Sequence, residues 1–175
     1  TGWTSYNVLG INVWTRSTGQ FHTGVASAFI SYEITGGEDW LITKKVTGIA
    51  AGDSLIFWWK NNFGVAYPPD SLIIKVSTTD SLMPSFTNTV ASIDASAMPD
   101  TWTRLAYSLS AFAGQNIYIA FRHLDTDGGG GYLDDVSVQG AATLNVTAYL
   151  TGNSFNVYKS SDFGVSWDTL GVTST

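Results

Sequence analysis

The sequence predicts an all-β chain, a jelly-roll β-sandwich of two antiparallel sheets with extra strands at the C-terminus. Three observations carry that reading. Apolar residues recur with a period of two along most of the 175 residues, and a helical period is hard to find. Clusters of Gly, Pro and Asp punctuate these runs at roughly even spacing, as in sandwiches and unlike βαβ folds. One run, residues 53–60, is apolar on both faces (Leu55, Phe57 and Trp59 against Ile56 and Trp58), as a strand within a two-layer sandwich is.

In chain order, the first predicted strand spans 25–33 and ends at Thr35-Gly36-Gly37. The second spans 40–47, and Ala51-Gly52-Asp53 turns it into the doubly apolar run 53–60. Pro68-Pro69-Asp70 closes a loop before 71–77, where Leu72, Ile74 and Val76 share one face and Ile73 and Lys75 the other. Met98-Pro99-Asp100 precedes 102–109, and residues 110–114 read as a short apolar connection with one helical turn. In 116–124, Ile117, Ile119 and Phe121 alternate with Tyr118, Ala120 and Arg122; the loop 127–131 then leads into 132–138. Gln139-Gly140-Ala141-Ala142 reads as a seam between a domain at 1–140 and an extension at 141–175 with a strand at 144–150. Some thirty-five residues bury little core alone, so the extension is expected to dock on the sandwich.

Composition narrows function. Eight basic against fourteen acidic residues give −6, which excludes a nucleic-acid backbone as partner. Cysteine is absent, so disulfides, thiolate metal sites and thiol nucleophiles are excluded. No apolar run is long enough for membrane insertion. The chain opens on Thr1-Gly2-Trp3 without a signal peptide and is expected to be a mature or excised piece. Abundant Thr, Ser, Gly, Asn and aromatic residues suit a secreted or cell-surface bacterial β protein.

Asp134 falls in phase with Tyr132, Val136 and Val138, which read as the buried face. A carboxylate there needs a cation or several donors. Calcium takes oxygen ligands, and the glycines at 128–131 would let backbone oxygens approach. Asp39, Asn7 and Asn12 are the further candidate ligands of a discontinuous calcium site. The alternative is that Asp134 accepts backbone N–H bonds at a strand corner. Asp125 and Asp127, flanking Thr126, either bind calcium or cap a solvated turn.

For glycan stacking the candidates are Trp58, Phe63, Tyr67, Trp14 and Trp59, with core packing as the competing reading. Trp58 and Trp59 point to opposite faces. The loop 61–70 supplies Asn61, Asn62, Phe63, Tyr67 and Asp70, a mixture of amides, rings and a carboxylate suited to a sugar. Catalysis is not expected. The two glutamates, Glu33 and Glu38, bracket a Gly-Gly turn and do not face one another across a cleft. His22 and His123 have no Gly-x-Ser-x-Gly elbow to serve.

Five pieces in order resemble the cleaved-adhesin, or choice-of-anchor J, family of bacterial surface proteins, related in fold to MAM domains. They are Gly2-Trp3-Thr4; residues 38–43; 70–79; Trp102-Thr103-Arg104 leading to 109–115; and 117–123 closing on 132–138. The resemblance covers roughly the first 140 residues and implies a calcium-containing jelly roll that binds something. Family members often carry an acidic Phe-Glu segment before the Gly-Trp, and this sequence lacks it. Residues 160–167 resemble a single Asp-box, a hairpin-stabilising motif without catalytic groups. The expected function is therefore a non-catalytic binding module for a polysaccharide or a host or matrix component. The alternatives are a structural subunit that self-assembles through edge strands, and a polysaccharide-cleaving jelly roll using Glu33 and Glu38.

Overall fold

The structure is a computed structural model that describes residues 2–66, 70–140, 154–159 and 168–174. Two compact units divide the chain, Thr1–Gly140 and Ala141–Thr175. The first unit contains β1 (Thr4–Leu9), β2 (Thr15–Ser17), β3 (Ser27–Ile30), β4 (Gly37–Ile42) and β5 (Ser54–Asn61). It continues with β6 (Asp70–Ser77), β7 (Asn88–Asp94), β8 (Thr103–Ser108), β9 (Tyr118–Asp125) and β10 (Gly131–Gln139). These form two five-stranded sheets in the orders β1-β4-β9-β6-β7 and β2-β3-β10-β5-β8, with every pairing antiparallel. The all-β sandwich is as the alternation predicts. In the second unit, β11 (Ser154–Lys159) pairs with β12 (Asp168–Ser174). The strand expected at 144–150, the Asp-box-like segment and the docking of the extension lie outside the described residues. Among those residues no helix is long and apolar enough to cross a membrane.

Alternation places the core. Leu55, Phe57 and Trp59 of β5 meet Leu72, Ile74 and Val76 of β6 and Ile119 and Phe121 of β9, all buried. Phe57 and Phe121 touch edge to face at 5.2 Å across the two sheets. The outer face of the first sheet is itself covered in part: Trp40, Ile42 and Ala120 pack beneath Phe86 and Met83. Three strands escape the sequence reading. β1 is a largely exposed edge strand, β2 has only three residues, and β7 is an edge strand with mixed burial.

Two local features shape the surroundings of β10. The first is a bulge: Asp135 has φ +48°, and between Asp134 and Ser137 the β10–β5 register slips by one residue. It reverses the alternation, so that Leu133, Val136 and Val138 pack toward the core, while Tyr132 and Asp134 share the outer face with Lys60 and Trp58. Asp134 is therefore not on the buried face that uninterrupted alternation assigns to it.

The second is the glycine run 128–131, which has a packing reason. A Cβ on Gly131 would fall inside the Trp59 ring, and Gly130, at φ +63°, would place one 2.5 Å from the Ile30 carbonyl oxygen. Gly131→Ala is expected to lower unfolding free energy by about 1–3 kcal/mol through overpacking, measured by urea denaturation. An unchanged midpoint would show that Trp59 is free to shift.

Candidate functional site

Two polar constellations emerge, one inside the sandwich and one on its outer face. The first follows from register in the first sheet. Asp39 of β4 lies opposite His123 of β9, and Asp125 of β9 lies opposite Asp70 of β6. All four side chains point into one end of the core and are at most 6 % exposed. Glu33 joins them there, its carboxylate accepting the backbone N–H groups of Ile11 and Asn12, each at 2.5 Å. Asp125 Oδ2 accepts the Glu33 N–H at 2.6 Å, and Asp70 Oδ2 accepts that of Gly130 at 3.1 Å. His123 Nε2 stands 2.5 Å from Asp70 Oδ1, close as an ion pair but not aligned as a hydrogen bond.

Negative charge dominates this end. One imidazole faces several carboxylates, and Asp39 Oδ2 and Asp125 Oδ1 are buried without a donor. Burial pushes the Asp39 carboxyl up to about 6, against a hydrogen bond from Asn7 and the neighbouring His123. Asp125 is also raised, first by burial, with the Glu33 N–H and His123 opposing. Asn7 donates to Asp39 Oδ1 at 3.2 Å and to the Asn12 carbonyl at 2.7 Å, so three of the four candidate calcium ligands meet here. The fourth, Asp134, does not. Among the described residues no three acidic or histidine side chains converge as a ready metal site. A hard cation would have to complete its shell with amide and backbone oxygens beside the free carboxylate oxygens.

The second constellation lies on the outer face of the β2-β3-β10-β5-β8 sheet. His22 stacks on Trp58 with ring centroids 3.8 Å apart, and Trp102 meets His22 edge-on at 5.8 Å. Phe29 of β3 stacks on Tyr132 of β10 at 4.7 Å, and Trp102 lies 6.4 Å from Tyr132. The Tyr132 hydroxyl donates to Asn62 at 3.0 Å. Lys60 Nζ sits 5.9 Å over the Tyr132 ring and donates to Gln20 Oε1 at 2.7 Å.

The turn that carries His22 is tied to the bulge of β10. Asp134 Oδ2 accepts the N–H groups of His22 (2.7 Å) and Thr23 (3.3 Å). Asp135 pairs with His22 Nδ1 at 2.6 Å and accepts from the Thr23 hydroxyl at 2.5 Å. Those two partners, His22 first, hold the Asp135 carboxyl below its usual range.

Several residues expected in a sugar-binding loop lie elsewhere. Asn61 is fully buried, donating to the Ala95 carbonyl at 2.8 Å and accepting the Phe63 N–H at 2.9 Å. Asp70 and Asp125 belong to the buried acidic end because alternation turns them inward there. Trp14 and Trp59 are core residues, 6 % and 0 % exposed. Trp58 and Asn62 do join the outer face, and Phe63 is 49 % exposed with its ring 6.1 Å from Tyr32. Asp127 is exposed at φ +56° and donates its N–H to the Glu33 carbonyl at 2.6 Å, which fits a turn residue. Tyr67 lies outside the described residues. Sequence reasoning missed His22, Phe29, Trp102 and Tyr132. Lys60 was within reach, two residues from Trp58 on the same face.

The model of the cleaved adhesin domain matches residues 2–138. The chain belongs to the cleaved adhesin family. Hemagglutinin A of Porphyromonas gingivalis is 31% identical over 179 residues, which take in 85% of this chain but 7% of that protein. This cleaved adhesin domain thus spans a small fraction of the curated relative it matches. The K3 cleaved adhesin domain of Lys-gingipain from the same organism superposes with TM-score 0.54 and 22% identity, covering 67% of this chain and 75% of that one. A family 30 carbohydrate-binding module of a cellulosomal cellulase from Clostridium thermocellum superposes with TM-score 0.56 and 13% identity, covering 81% and 93%. At those identities the two structural likenesses show the sandwich fold of the adhesin domain.

Proposed function

We propose that this cleaved adhesin domain is a non-catalytic carbohydrate-binding module, working through the outer aromatic face and stiffened by calcium at the acidic end. The observation that carries the reading is the strip formed by His22, Trp58, Trp102, Tyr132 and Phe29. Flat rings meet the apolar faces of pyranoses, and the hydroxyls then find Asn62, Gln20 and Lys60 at the margin. The carbohydrate-binding fold neighbour and the haemagglutinin relative support it, as they do a secreted or surface location in a bacterium.

The two glutamates speak against hydrolysis. Glu33 spends its carboxylate on backbone N–H groups, whereas Glu38 is bound by Arg122 at 2.9 Å and Trp40 at 2.8 Å. The Arg122 bond holds Glu38 low, the reverse of what a general acid requires. For calcium, the donor-free Asp39 Oδ2 and Asp125 Oδ1 fit an oxygen-seeking ion, with oxygens of Asn7 and Asn12 near by. Bound there, the ion would supply countercharge.

A glycan array with the intact protein is expected to give saturable binding, weakened on the order of tenfold or more by Trp58→Ala. No binding to any glycan by folded protein, with calcium present, would sink the reading.

A second reading, self-assembly through strand edges, has its own observation. β10 pairs with β3 only as far as Leu133 but with β5 as far as Gln139. Beside the unpaired stretch run an open groove of about 430 Å³, past Trp3, Leu41, Leu133 and Val136, and a second of about 270 Å³, past Leu55, Ile119 and Val138. An unpaired edge over apolar side chains suits a visiting strand. Light scattering on the eluting protein should then show concentration-dependent dimers; a monomer at all concentrations removes this reading.

A further inference from the structure

We infer that the ligand of the outer aromatic face is an anionic glycan, a polysaccharide carrying carboxylate groups such as a polyuronate. This rests on the carbohydrate-binding role proposed for that face and adds the charge of the sugar to it. Of the Lys and Arg residues, only Arg122 forms an ion pair among the described residues, so what singles out a cation is its place beside the rings rather than its lack of a counter-ion. Two such cations stand on this face. Arg104 of β8 lies directly across from Trp58 in the β5–β8 register, is exposed, and has no hydrogen bond or ion pair among the described residues. Lys60 lies two residues from Trp58 on the same face, with its ammonium above the Tyr132 ring and the amide oxygen of Gln20 as its partner.

The carboxylates that share the face keep their charge but form no ion pair with either cation. Asp134 is occupied by the N–H groups of His22, Thr23 and Asp135. Asp135 is occupied by the His22 ring and the Thr23 hydroxyl. Both acids are thus consumed in fixing a turn on the β10 side, whereas the cations flank the rings on the β5–β8 side. A sugar lying along the strip of rings, beside the His22–Trp58 and Phe29–Tyr132 stacks, would have an ammonium and a guanidinium at one margin. Arg offers a carboxylate two parallel donors, and Lys offers a point charge. Neutral sugars would use the rings but give neither cation a counter-ion.

The test holds the sugar backbone constant and removes its charge. Calorimetric titration of the full chain would compare oligogalacturonate with the same oligomers fully methyl-esterified, alongside oligomannuronate, hyaluronan oligomers and neutral cello-oligosaccharides. At least one carboxylated oligomer should bind at least about tenfold more tightly than its esterified or neutral counterpart. Raised salt should erode the difference. Lys60→Gln with Arg104→Gln should abolish the preference, and Trp58→Ala should weaken binding on the order of tenfold or more.

Equal binding of charged and neutral oligomers, weakened by Trp58→Ala, overturns the inference and leaves the aromatic site standing. Charge-dependent binding that Trp58→Ala leaves at full strength also overturns it, because the anion is then held elsewhere. No binding to any of these sugars overturns the inference, and silence across the wider array overturns the carbohydrate reading as well. The esterified comparison uses the unmutated protein, so its outcome does not depend on a variant folding.

Discussion

Replacing His123 with alanine is expected to lower unfolding free energy by about 3–5 kcal/mol, measured by urea denaturation. His123 and Asp70 are both 0 % exposed at the side chain and 2.5 Å apart. Without the ring, Asp70 keeps a single backbone donor, Gly130, and Asp125 and Asp39 lose the neighbouring imidazole that opposes the effect of their burial. A cavity between Trp14 and Trp59, whose rings lie 6.4 and 6.5 Å from the imidazole, adds to the loss. The double variant Asp70→Asn with His123→Ala should lose clearly less than the two single losses added together, since the stranded charge is gone. Strict additivity would mean that the two groups do not interact energetically.

The other large effect concerns Asp39. Its carboxyl is raised to about 6 in the folded chain, against an ordinary value of 3.8. Between those values the folded state binds more protons than the unfolded state, so stability falls as pH rises from about 4 to about 6 and then levels. Chelator-treated protein should therefore be more stable at pH 5 than at pH 7. The difference is on the order of 1–3 kcal/mol, because each tenfold change in proton affinity corresponds to about 1.36 kcal/mol. Asp125, raised for the same reason, acts in the same direction.

Calcium should reverse this trend. A cation bound to the ionised carboxylates favours their charged form and adds stability that grows with its concentration at neutral pH. Asp39→Asn should flatten the pH slope, make the chelated protein more stable at pH 7, and remove the gain from calcium. Identical melting temperatures with calcium and with chelator at pH 7 would count against a cation at this end. A retained pH slope in Asp39→Asn would assign it to another group.

The fold is legible in the sequence because its strongest signals are local. Alternation in 53–60, 71–77 and 116–124 corresponds to β5, β6 and β9, the strands that contribute most to the core. β1 and β7 are illegible for a related reason. Edge strands bury little, so their side chains need not alternate, and their identity is settled by pairing with β4 and β6. The candidate sites depend on register between distant segments, which period alone does not contain. Asp39, His123, Asp125 and Asp70 meet through cross-strand pairing of β4, β9 and β6. Asp134 is misplaced by one residue's worth of bulge, a device with no marker in the sequence beyond the unusual pair Asp134-Asp135. Trp58 is legible because it has Trp59 as a built-in contrast, one ring facing each way. His22 is not, because nothing near it in sequence reveals that Asp135 holds its ring.

The anchoring of the 22–23 turn has a thermodynamic consequence. A ring on an untethered turn would have to be immobilised each time a ligand arrived, at about 0.5–1.5 kcal/mol per side chain ordered. Here Asp134 and Asp135 hold both the backbone and the imidazole of His22 in place beforehand. The ordering entropy is met during folding rather than during capture. Loosening the turn, as Asp135→Ala would, should therefore slow association or speed release without removing any group that touches the ligand.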